Sequence, residues 1–113
     1  MEKRIDLILF EMKKRRLRGK YIINNLGNIK WEIDNNIVLE IIPEGHGGDD
    51  LIIIYYIDPS GKKHENYDEL NSNTNEELFK ILNEYNNYKY EIKEKKILFR
   101  KKYILTYDGK ETI

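Results

Sequence analysis

The seven consecutive apolar residues from Leu51 to Ile57 limit the fold more than any other stretch of this chain. A half-wet strand alternates apolar and polar residues, whereas an unbroken run asks for cover on both faces and belongs in the middle of a sheet. Asp58-Pro59-Ser60-Gly61 follows at once, with Asp and Pro at the first two positions of a type I turn and Gly at its exit. The polar segment from Lys62 to about Tyr67 then reads as a returning strand whose charge suits an edge.

Upstream, Ile29, Trp31 and Ile33 alternate with Lys30, Glu32 and Asp34, and Ile37, Leu39 and Ile41 resume the alternation. Asn35 and Asn36 between them tolerate positive φ and suit a tight hairpin. Pro43 is expected to end that strand, leaving Glu44 to Asp50 as an acidic, glycine-rich loop. Ile5, Ile8, Leu9 and Met12 recur at helical spacing and predict an amphipathic helix over residues 2 to about 17, with Gly19 where it would stop. A second helix opens on the capping-box spacing of Thr74 and Glu77, carries Leu78, Ile81, Leu82 and Tyr85 on one stripe, and meets a left-handed stop at Asn86-Asn87. Tyr88, Tyr90 and Ile92 alternate next, a charged turn is expected at Glu94-Lys95, and Ile97, Phe99, Tyr103 and Leu105 read as the last strand.

This order predicts a single α+β domain over residues 1–113, with a mostly antiparallel, hairpin-rich sheet of five to six strands and two amphipathic helices covering it. The expected core contains Ile8, Leu9, Trp31, Leu39, Ile53, Tyr55, Leu82 and Phe99.

Composition enters by exclusion. No cysteine is present, so disulfide scaffolds and Cys-based zinc sites are ruled out. The apolar run is far short of a membrane span, and the Ile5 to Phe10 patch, broken by Asp6 and closed by Glu11, lacks the form of a secretory signal. A cytoplasmic protein with no membrane partner is the expectation. Ala and Gln are absent while Ile, Asn, Lys and Tyr abound. That set follows A+T-rich coding, so tyrosine and lysine content by itself is not a sign of nucleic-acid binding.

The zero net charge hides three blocks: residues 1–20 carry eight basic and three acidic side chains, residues 21–88 four and thirteen, and residues 89–113 eight and four. Such a chain presents separate basic and acidic surfaces. Lys13, Arg15 and Arg16 belong to a cluster with six basic residues in the eight from Lys13 to Lys20. Lys95, Lys96, Lys101 and Lys102 belong to another with six in the ten from Lys93 to Lys102. Either cluster could neutralise phosphates. The acidic middle offers Glu44, Asp49, Asp50, Asp68 and Glu69 as a face for a larger protein partner with a basic surface.

Catalytic constellations have little support. His46 lies beside Asp49 and Asp50, below the usual ligand count for a metal, and His64 reads as a solvated histidine on an exposed strand. Glu91-Ile92-Lys93 matches the Glu-x-Lys half of a metal-dependent nuclease motif, yet follows the second helix and arises readily on a wet strand. No nucleotide-binding glycine loop occurs. The resulting expectation is a small non-enzymatic inhibitor of the immunity or phage counter-defence kind that uses the acidic face. A nucleic-acid-binding protein using the basic clusters is the alternative, and a nuclease-like enzyme comes third. No catalytic residue, metal or cofactor is expected.

Overall fold

The computed structural model describes residues 3–46, 49–69 and 74–112. The chain is α+β, in the order α1 (Arg4–Lys14), β1 (Lys20–Ile23), β2 (Ile29–Asp34), β3 (Ile37–His46), β4 (Asp49–Ile57), β5 (Lys63–Glu69), α2 (Asn75–Asn87), β6 (Glu91–Ile97), β7 (Arg100–Tyr107) and β8 (Lys110–Thr112). Strands β1 to β5 form one antiparallel meander in sequence order, and β6 to β8 form a separate three-stranded antiparallel sheet. The α+β class, with a hairpin-rich antiparallel sheet and two helices, is as expected from the sequence, and among the described residues the strands number eight and divide into two sheets. Periodicity assigns faces to strands, but not strands to sheets.

The apolar run does occupy β4, one strand in from the edge. Its two faces meet different surroundings. Ile52, Ile54 and Tyr56 join the main core with Trp31, Leu39, Ile8, Met12, Leu78 and Leu82, so both helices pack on this one face. Ile53 points the other way and is buried, standing in register with Glu40 on β3. Tyr55 on that outer face is only partly buried. Glu40 is itself buried there, accepting hydrogen bonds from Asn28 Nδ2 at 3.0 Å and the Tyr55 hydroxyl at 3.1 Å. Among the described residues, the helices pack with the inner-face residues of β4, and the outer face is shielded only in part, by the sheet's own side chains.

Local signals set most boundaries. Asn36 takes φ +60° in the two-residue β2–β3 turn. The Thr74 hydroxyl caps α2 by accepting from the Glu77 amide at 3.2 Å. Helix α1 stops at Lys14, earlier than expected, because Arg16 takes the left-handed conformation at φ +55°. Helix α2 runs through Asn87 without a left-handed stop, and Arg18 supplies its cap instead, donating from Nε to the Asn86 carbonyl at 2.9 Å and from Nη2 to the Tyr88 carbonyl at 2.7 Å. Pro43 does not end β3, which continues to His46 and pairs with Asp49, so most of the expected loop is strand.

Two arginines fix the direction of α2. Arg4 forms a two-pronged ion pair with the buried Asp50, at 2.8 and 3.2 Å, and also bonds Asn75, which sets the start of α2 beside the start of β4. Arg18 lies 3.9 Å from Asp34, which sets the end of α2 beside the β2–β3 turn. The second sheet leaves from that end. Among the described residues no helix is long and apolar enough to cross a membrane.

Candidate nucleic-acid interface

Strands β6 and β7 make a hairpin that is anchored at one end only. Near its base Ile92 and Leu105 stand opposite each other; Leu105 is in the core and Ile92 packs against it. Tyr85, Tyr88, Tyr90 and Tyr107 pack with ring centroids 5.5 to 6.0 Å apart, and the Arg18 guanidinium lies 5.4 Å from the Tyr90 ring. Burial pushes the Tyr90 phenol well above its usual range, so it stays protonated and donates to the Tyr85 carbonyl at 2.7 Å. The base is clamped. Every residue from Lys93 to Lys102 is exposed.

Register determines what the exposed arm presents. Lys95 stands opposite Lys102, Lys96 opposite Lys101, and Ile97 opposite Arg100. Successive pairs point to opposite faces, so each face of the ribbon carries one lysine pair. Like charges directly across a strand pair destabilise it. Acids answer part of this: Glu111 on β8 meets Lys95 at 3.0 Å and Glu94 meets Lys101 at 3.6 Å. Lys96 and Lys102 have no ion pair among the described residues.

The tip breaks two further local rules. Leu98 and Phe99 form the two-residue turn and are 93% and 104% exposed. Leu98 takes φ +57°, a conformation that turns of this length normally give to glycine or asparagine. The expectation of a turn at Glu94-Lys95 is corrected accordingly, because β6 runs straight through both. Phe99 is likewise no core residue but the most exposed large apolar side chain described. Its signal in the sequence was the symmetry of Lys95-Lys96 and Lys101-Lys102 about the four residues from Ile97 to Arg100, as the arms of a hairpin have it.

The first basic cluster is partly consumed by the fold. Arg15 bonds Glu11 at 3.3 Å and lies 5.1 Å from the Phe79 ring, and Arg18 caps α2. Lys13, Lys14, Arg16 and Lys20 are exposed around the end of α1.

Among the acidic positions, Asp50 is fully buried against Arg4 and offers nothing to a partner. The register brings the backbones of Glu44, Asp49, Asp68 and Glu69 to the end of the first sheet where α2 begins, while their side chains lie outside the described set. Gly47 and Gly48 lie outside the described residues. His64 is not solvated: its Nε2 is 2.8 Å from Asp58 Oδ2 and its ring stacks on Tyr56 at 4.5 Å. Asp58 also accepts from the Ser60 and Lys62 amides, so the dyad ties down the β4–β5 turn. Glu91 and Lys93 are both exposed on β6, and among the described residues no three His, Cys, Asp or Glu side chains are grouped to hold a metal ion. A shallow concavity of about 460 Å³ on the outer sheet face, lined by Lys30, Glu32, Val38, Glu40, Tyr55 and Lys63, carries charges of both signs.

Comparison with protein-family models, with curated proteins and with solved structures finds no match for this chain.

Proposed function

We propose that this chain is a non-catalytic nucleic-acid-binding protein whose β6–β7 arm engages the phosphate backbone. The observation that carries this reading is the cross-strand register that sets Lys95 opposite Lys102 and Lys96 opposite Lys101, one residue pair behind an exposed apolar tip. Glu111 and Glu94 answer one lysine of each pair, and a polyanion would relieve the repulsion that Lys96 and Lys102 leave. Salt dependence tests this. Each phosphate contact contributes about 0.9 to the slope of log K against log salt on duplex DNA, so Lys96→Ala/Lys102→Ala should lower the slope by roughly 2 while weakening binding to all sequences alike. Binding whose slope is unchanged by the double variant would contradict the proposal. Incubation of labelled DNA or RNA with Mg²⁺ or Mn²⁺ should leave it intact, and cleavage that disappears in Glu91→Gln would replace a binder with an enzyme.

A second reading, a protein-binding inhibitor acting through Glu44, Asp49, Asp68 and Glu69, is favoured by one observation: these positions share one end of the first sheet with the start of α2. Its partner would carry a basic surface, and charge reversal at Asp49 and Asp68 would slow association most at low salt. Stoichiometric retention of a host protein by the native chain, lost on that reversal and unaffected by the lysine variant, would favour this reading over the first.

A further inference from the structure

Resting on the nucleic-acid reading above, we propose that the arm takes duplex nucleic acid, seating its two lysine faces against the two phosphate walls of a groove and parting a base step with Leu98 and Phe99. The distribution of charge favours a groove. Lys95 and Lys102 stand on one face of the ribbon and Lys96 and Lys101 on the other. A groove puts phosphates on both sides of an inserted ribbon and bases at its floor, and the major groove of B-DNA, about 12 Å wide, admits two strands. A lone strand offers a single phosphate track and would leave one lysine pair in water. A bilayer presents its headgroup charge in one plane, whereas the basic residues here are spread along the arm from Lys93 to the tip, a rise of roughly 13 Å.

The tip supplies the rest. Leu98 and Phe99 are fully exposed, and Ile97 behind them is 55% exposed, so the leading end of the arm is apolar while its sides are cationic. Minor-groove proteins that kink a duplex insert apolar side chains of this kind between base steps, and β-ribbons enter either groove. Glycine at position 98 would relax the φ of +57° and remove half of the wedge, yet leucine stands there. Local strain, exposed apolar surface and like-charge pairing all fall within one turn of one hairpin, and such coincident departures from local rules mark functional sites.

The test is a short duplex DNA labelled at both ends for energy transfer, titrated with the native chain, with Leu98→Ala/Phe99→Ala and with Lys96→Glu/Lys102→Glu. Both tip residues are exposed, so the first variant keeps the fold, which circular dichroism checks. The native chain should bind and raise transfer as the duplex bends. The tip variant should bind roughly tenfold more weakly, the order of one lost stacking contact, with the same salt slope and no change in transfer. The lysine variant should not bind. A tip variant that bends the duplex as the native chain does would overturn the wedge alone. Preference of the native chain for a single strand of the same sequence would overturn the groove and leave nucleic-acid binding standing. Binding to phosphatidylserine vesicles with neither DNA form retained, or binding to none of the three, would overturn both readings.

Discussion

Gly19 shows how a single residue fixes the path between α1 and the first sheet. It takes φ +81°, and a Cβ there would lie 2.1 Å from the Glu32 carbonyl oxygen. The loop after α1 therefore rests directly on β2, and the Arg18 carbonyl next to it accepts from the buried Trp31 indole at 2.7 Å. Gly19→Ala combines a positive φ with a backbone clash and should cost about 2 to 3 kcal/mol in urea denaturation; an unchanged midpoint would mean that the loop does not lie on β2. The sequence marked this glycine as a stop signal, the right place for a different reason. Residues whose partners are distant were less legible. Asp50 looked like a loop acid because its partner, Arg4, is at the other end of the sequence. Ile8, Trp31, Leu39 and Leu82 were legible as core, since periodicity alone places them.

At the scale of elements, turns built from turn-forming residues were readable and the one built from Leu98 and Phe99 was not. The Asp58 turn is of the readable kind and makes a pH prediction. Burial alone would raise the Asp58 carboxyl, but hydrogen bonds from Ser60, His64 and the Lys62 amide outweigh it and hold the group well below its ordinary value of 3.8. A carboxyl depressed in the folded state stabilises the fold above its unfolded value, and that contribution fades as pH falls below it. The thermal midpoints of native chain and Asp58→Asn should therefore differ most at about pH 7, and the gap should narrow progressively as the pH falls below 3.8. A gap that stays constant would remove the carboxylate from the turn's stability. The division into two sheets was illegible for a further reason. Alternation in β6 and β7 says which residues share a face, but the contacts that clamp the hairpin's base, Leu105 in the core and the tyrosine cluster, join residues far apart in the sequence.

The whole molecule is elongated, 56 × 29 × 28 Å, with a radius of gyration of 14.9 Å, where a compact chain of this length would have about 13 Å. Its charge follows its architecture. The arm carries the basic block of the sequence, whereas the acidic positions of β3, β4 and β5 gather where α2 begins, at the other end of that helix from the arm's base. Blocks of charge were plain in the sequence; that one of them forms a ribbon with lysines on both faces needed the register.

Stability and binding should be opposed in the arm, and Lys96→Glu/Lys102→Glu separates them, since each substitution places an acid across the strands from Lys101 or Lys95. Urea denaturation and duplex DNA titration of this variant, at one low salt concentration, decide whether the arm is a nucleic-acid element. Such an arm should show a folding stability unchanged or raised by up to about 1 kcal/mol, from cross-strand pairs worth roughly 0.2 to 1 kcal/mol each, together with the loss of DNA binding. A variant that is less stable than the native chain, or that binds DNA as tightly, would contradict that role.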